Sequence, residues 1–368
     1  MIVVIYGTIG EYTKVLPLIK RLGSSQCISI NVNMQPKQTG ELFATGDVPP
    51  PTISVLNGFR GDDINTIPRM AVWFFGFIFQ LFRLRKTIRA AAKKEPSFFI
   101  VHGDTIIAPI AGFFAKHLYR MPVGHIEAGY RSGNWRDPFP EELDRILIDK
   151  IADVNYAVGE DTIVNLRSPK TKGRIVDTKE NTIVDALLLA KAAKLQPKNL
   201  KLPKKYMLVS IHRAELITVE QKMRELIEAI SANKSTPIVW LDHAPTQAKI
   251  TQFGLNELLA KPHITRVPKL PYFPFIGLVT GSSAILTDSG GLQEEAYLLQ
   301  IPTLIHRTFG EKQKAHMGTL SKLQKKILLD FLKNYKNYPN KSTQPKDSPV
   351  DIIIDDLKAH GYLSKKFA

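Results

Sequence analysis

Short apolar runs alternate with stretches of helical spacing along the chain. The runs are Ile2–Tyr6, Cys27–Val32, Phe98–Val101, Val123–Ile126, Val154–Val158, Met207–Ile211, Ile238–Leu241, Ala284–Thr287 and Thr303–His306. Each is rich in Val and Ile and nearly unbroken, the pattern of strands covered on both faces. Such strands spaced by helices predict α/β domains built on parallel sheets. The polar stretch Arg167–Gly173, which contains Pro169, reads as a hinge. Two doubly wound, Rossmann-like domains facing one cleft are therefore expected, over residues 1–168 and 174–345. After the polar stretch Asn334–Pro349, Asp351–His360 reads as a last helix, and residues 350–368 are expected to pack back on the N-terminal domain.

One segment departs from this alternation. Met70–Phe82 is almost continuously apolar and aromatic, and Arg83, Arg85, Lys86 and Arg89 follow it. At that length it is too short to span a bilayer, which needs about 20 residues. It reads as a buried or dimer-interface helix, or as a peripheral membrane patch with a basic flank.

Composition narrows the class. A chain of 368 residues with 44% hydrophobic content can bury two cores. The single Cys27 excludes an intramolecular disulfide framework and a cysteine-rich metal site. Met1 leads directly into the run Ile2–Tyr6 without a signal-peptide pattern, so a cytoplasmic protein is expected. The formal charge of +16 invites an anionic partner, but the lysines are scattered and no nucleic-acid motif accompanies them. A solvated basic surface with an anionic substrate is the expected reading, with no nucleic acid.

The candidate chemistry lies just past the apolar runs, where open α/β sheets bind ligands. Ala284–Thr287 runs into Asp288-Ser289-Gly290-Gly291 and then a helical pattern. Backbone N–H groups at such a helix start make an anion seat. Glu295, farther along that helix, is placed to accept hydrogen bonds from hydroxyls. Asp104 and Glu127 follow two other runs, and Glu141 opens Pro140-Glu141-Glu142-Leu143-Asp144-Arg145, a helix start. Carboxylates grouped in this way repel one another and gain protons more readily, which suits proton transfer. His212 and Arg213 end another run, a pairing suited to a diphosphate. Phe275 is a candidate for stacking on a base, and equally for core packing. His102, His125 and His243 also follow apolar runs, but none has paired metal-ligand spacing, so no metal is expected.

At His102–Thr105, Pro122–Gly133, Pro140–Arg145, Asn181–Ala186 and Thr287–Ala296 the chain resembles the non-hydrolysing UDP-N-acetylglucosamine 2-epimerases. These share the two-domain (GT-B) fold of one large glycosyltransferase class. The resemblance implies a UDP-sugar substrate, no cofactor and a homodimer. It also implies C2 proton removal with loss of UDP to give 2-acetamidoglucal, then re-addition with the proton delivered to the opposite face. It places the catalytic groups on Asp104, Glu127, Glu141 and His212. The substrate-binding positions fall on Lys14, Arg131, Arg213, His243, Phe275, Ser289, Gly290, Gly291 and Glu295.

There are departures from the family pattern. Gly-Thr-Arg-Pro-Glu is here Gly7-Thr8-Ile9-Gly10-Glu11, which removes a phosphate-facing arginine unless Lys312 or Lys314 compensates. Thr-Gly-His-Arg becomes Ser210-Ile211-His212-Arg213. The function expected is interconversion of UDP-GlcNAc and UDP-ManNAc for cell-surface polysaccharide. The alternatives are a glycosyltransferase with a membrane-linked acceptor and an idle nucleotide-sugar binder.

Overall fold

The nine apolar runs all form strands, and four further strands join them. In this computed structural model the described residues are 1–44, 46–56, 61–64, 66–92, 96–133, 139–167, 171–193, 200–309, 317–340 and 347–363. The first sheet contains β1 (Ile2–Tyr6), β2 (Cys27–Asn31), β3 (Ile53–Ser54), β4 (Phe98–His102), β5 (Val123–Ala128), β6 (Val154–Ala157) and β7 (Arg174–Asp177). The second contains β8 (Met207–Ser210), β9 (Ile238–Asp242), β10 (Ile264–Pro268), β11 (Ala284–Thr287), β12 (Thr303–Ile305) and β13 (Thr319–Leu320).

All pairings are parallel, in the orders β3-β2-β1-β4-β5-β6-β7 and β10-β9-β8-β11-β12-β13. Each sheet therefore reverses its winding once, between β1 and β4 in the first and between β8 and β11 in the second. At such a point the flanking helices leave on opposite faces, and the strand ends open a crevice.

The chain divides into Met1–Ala186 with Pro345–Ala368, and Leu187–Gln344. The stretch Arg167–Gly173, of which residues 168–170 lie outside the described set, does not separate the units. β7 follows it and pairs with β6, so the first sheet continues past the expected hinge. The division falls instead inside the helix Ile183–Ala193. The last helix, Pro349–Ala359, belongs to the first unit. Val350 N–H donates to Asp185 at 3.0 Å, Tyr156 donates to Asp356 at 2.9 Å, and Arg174 pairs with Asp356.

The aromatic segment is longer than its apolar run. The helix extends over Ile67–Ala92, 26 residues, because the basic stretch after Phe82 is made of good helix formers. Its length and composition would suffice to cross a bilayer, which corrects the expectation from thirteen residues. One face nevertheless belongs to the first core. Trp73, Phe77, Leu81, Leu84 and Ile88 are buried, and Trp73 Nε1 donates to the Val32 carbonyl at 2.9 Å. The other face is exposed at Val72, Phe75, Phe79 and Phe82.

Candidate active site

In the first unit, acidic groups gather beyond the ends of β4 and β5. The β5–β6 register shifts between Ile126 and Ala128, so Glu127 stands in a bulge with φ +70°. A glutamate in that region is strained, and a bulge turns its side chain out of the sheet's alternation. Lys14 Nζ, from the helix Ile9–Gln26, meets both Glu127 carboxylate oxygens at 2.7 Å. His102 Nε2 lies 3.2 Å from Glu127, but burial pushes this ring down to about 3 despite that neighbour. Of these two neighbours, Lys14 is the cation and His102 a neutral wall.

Glu11 fixes the crevice floor. It forms a capping box with Thr8, accepts from Gly7 N–H at 2.9 Å and Thr8 N–H at 3.0 Å, and takes the Thr105 hydroxyl across the switch point. Burial raises its carboxyl above the usual range, against those donors. The ends of β1 and β4 are thus tied by one side chain.

Asp104 is held by the Arg145 guanidinium, which also reaches Glu142 at 3.2 Å. Glu142 accepts from Ser132 N–H at 3.0 Å. Arg131 is drawn to buried Asp149 at 2.7 Å, and Asp149 accepts from His125 Nδ1 at the same distance. Burial alone would raise Asp149, but His125 and Arg131 outweigh it and hold the carboxyl below its usual value. Gly129, with φ +88°, passes so close to Thr162 that a Cβ would stand 2.5 Å from its carbonyl oxygen. Only glycine serves there.

The helix Glu141–Ile151 brings Glu141, Glu142 and Asp144 into its first turn, where the helix dipole favours acids. Asp144 is pushed up to about 7 by burial, then by the charges of Asp104 and Glu141. A carboxyl raised in the folded state binds its proton before the unfolded one does, so its contribution to stability declines from about pH 4 to about pH 7. Asp144→Asn is expected to flatten this decline and to melt at higher temperature than the parent above pH 7, but not below pH 4. Thermal melts across that range check it.

In the second unit, buried Asp288 organises the site. Its carboxylate accepts His212 N–H at 3.1 and 3.0 Å and Arg213 N–H at 2.8 Å, and lies 3.2 Å from His212 Nδ1. Thr287 Oγ1 donates to the Ser210 carbonyl at 2.9 Å and accepts Ser289 N–H at 3.0 Å. The loops after β8 and β11 are therefore locked together at the switch point. His243 Nε2 contacts Ser210 Oγ at 3.0 Å, and its ring centroid is 4.9 Å from that of His212. Burial, then His212 and Lys269, lowers His243 to about 4, so it serves as a neutral hydrogen-bonding group.

Ser289 caps the helix Gly290–Leu298, yet its hydroxyl makes no capping bond. Around Gly291 the space for a Cβ is open. First-turn N–H groups have no intrahelical acceptor, so this end suits a phosphate. Glu295 is buried, and burial and then the nearby Glu295 charge raise the Tyr272 hydroxyl well above its usual value. Phe275 is half-buried against the Leu278 and Val279 core. Lys312 and Lys314 lie outside the described residues.

The structure thus groups Lys14, Asp104, Glu127, Arg131 and Glu141 in the first unit, and His212, Arg213, His243, Ser289, Gly290 and Gly291 in the second. Glu295 and Phe275 are engaged within the second unit. Arg145, Asp144, Asp149 and Asp288 escaped the sequence reading as site residues. Arg145 could have been found at i+4 from Glu141, and Asp288 as the last residue before Ser-Gly-Gly.

The sequence profile described as UDP-N-acetylglucosamine 2-epimerase matches residues 83–343, more than two thirds of the chain. The chain belongs to this family. A UDP-N-acetylglucosamine 2-epimerase of Methanococcus maripaludis is 29% identical over 326 residues, 84% of this chain and 83% of that protein. One from Salmonella typhimurium is 32% identical over 235 residues, 60% of this chain and 61% of its own. The fold is that of the Methanocaldococcus jannaschii UDP-GlcNAc 2-epimerase, at TM-score 0.77 and 24% identity, covering 98% of this chain and 99% of that one. Membership in the epimerase family accords with two parallel-sheet domains of GT-B type.

Proposed function

We propose that this epimerase-family enzyme interconverts UDP-GlcNAc and UDP-ManNAc in the cytoplasm, for cell-surface polysaccharide. The observation that carries the reading is Glu127, strained at a bulge and charge-paired to Lys14 beside the Asp104–Arg145–Glu142 cluster. Inverting C2 needs a proton acceptor on one face and a donor on the other, hence more than one carboxyl. The C2–H electron pair forms the C1–C2 double bond of 2-acetamidoglucal as UDP leaves with the C1–O pair, and re-addition reverses this. Asp104, Glu127 and Glu141 are the acid/base set, with Lys14 and Arg131 supporting. His212, Arg213, His243 and the Ser289-Gly290-Gly291 turn take the diphosphate, while Phe275 and Glu295 border the nucleoside. Ile9 leaves one cation fewer at the phosphates.

The test is proton NMR with UDP-GlcNAc in D2O. Deuterium at C2 together with UDP-ManNAc supports the reading. Saturable binding without exchange overturns it in favour of transfer to a membrane-linked acceptor.

We further propose a homodimer through the exposed helical face. Val72, Phe75, Phe79 and Phe82 follow a three- and four-residue spacing, and exposed Phe113 extends the patch. Phe75→Ser with Phe79→Ser is expected to halve the mass in solution by light scattering. Unchanged mass with loss of binding to anionic vesicles would instead make this face a membrane contact.

A further inference from the structure

Epimerisation by two carboxyl groups leaves a protonation problem, and the first unit contains a group placed to solve it. Each turnover moves a proton onto one carboxylate and takes another from its counterpart, so the enzyme ends in the wrong state for the same substrate. Resetting requires a nearby group that gains and loses a proton easily at neutral pH.

The Arg145 guanidinium is bonded to Asp104 and Glu142, while the charges of Asp104 and Glu141 bear on Asp144. Asp144 is 5% exposed. Among the described residues, its Oδ2 and Glu141 Oε2 are buried without a hydrogen-bond partner. Full ionisation would set the charge of Asp144, which is nearly out of water, against those of Asp104 and Glu141. A proton on this cluster relieves both the repulsion and the unpaired oxygens. Asp144 stands three residues from Glu141 on one helix, a spacing that places them on one face.

We propose that Asp144 is a positioning residue that stores a proton for the acid/base carboxyls, exchanging it with Glu141 between turnovers. The inference rests on the epimerase reading. One O–H bond breaks on Asp144 as another forms on Glu141, and the reverse transfer restores the cluster. The groups facing Asp144 are Glu141 on its own helix and Asp104 from the turn after β4, and both raise its affinity for the proton.

Two measurements test this. Infrared difference spectra of the unmodified protein with carbon-13-labelled aspartate are expected to show a protonated carboxyl that titrates near the value of about 7. The band is expected to be absent from Asp144→Asn. Its absence from the parent, or its persistence in the variant, overturns the proposal whether or not the enzyme turns over. In steady-state kinetics, Asp144→Asn is expected to lower kcat by about tenfold or more, with KM for UDP-GlcNAc little changed and the kcat break near pH 7 removed. An unchanged kcat and pH profile would overturn it. Failure of the parent to exchange C2 would overturn the epimerase reading instead, and leave the infrared result to decide the proton's location.

Discussion

Glu127→Gln is expected to lower kcat for C2 epimerisation by about 10²–10⁴-fold, the range for removing a positioned acid or base. The substitution keeps volume and hydrogen-bonding shape but discards the charge. Both Glu127 oxygens now face Lys14 at 2.7 Å, so the ammonium would lose its counter-charge where it is three-quarters covered. Removing one partner of such a pair costs stability as well, about 1–3 kcal/mol here, since the pair is only partly buried. Kinetics and denaturant melts together separate the two effects. Lys14→Met in the Glu127→Gln background should recover stability without recovering rate. Retention of more than a tenth of the parental kcat in Glu127→Gln would remove Glu127 from the acid/base set.

Asp288→Ala is expected to destabilise the second unit by about 2–5 kcal/mol and to abolish measurable UDP binding. Two backbone N–H groups, of His212 and Arg213, depend on this carboxylate. Each buried donor left unpaired costs about 1–3 kcal/mol. The same loss frees the loop after β8, so His212 and Arg213 would no longer be held at the diphosphate end. Asp288→Asn retains one acceptor oxygen and is expected to lose less stability. Chemical denaturation measures the first effect and titration calorimetry with UDP the second. If Asp288→Ala binds UDP as the parent does, the Asp288-centred lock is not what positions these residues.

Both substitutions bear on how the site could be read from residues alone. Asp104, Glu127, Glu141 and His212 were visible because each follows an apolar run or opens a helix, and strand ends in α/β sheets are where ligands bind. The backbone that aims them was not visible. Glu127 acquires its direction from a one-residue register shift between β5 and β6, a property of the pair of strands. Asp288 acquires its role because β8 and β11 are neighbours, although 75 residues separate it from Arg213, whose N–H it accepts. Asp144 becomes a neutral-range acid only through burial beside Asp104, which comes from another element.

The strands divide along the same line. The nine found from apolar runs lie in the interior of the two sheets, where burial on both faces demands unbroken Val, Ile, Leu and Phe. The other four, Ile53–Ser54, Arg174–Asp177, Ile264–Pro268 and Thr319–Leu320, are the edges of those sheets. An edge strand has one neighbour and is partly exposed, so its residues carry little hydrophobic signature, and pairing alone makes it a strand. The helix Ile67–Ala92 behaves likewise: composition marked it as apolar, and packing decided that Trp73 and Phe77 face the core while Phe75 and Phe79 face outward. The interior strands, the turn chemistry at their ends and the kinds of groups placed there follow from residue order alone. Edges, side-chain direction and proton affinity come from packing, because each depends on a neighbour distant in the chain.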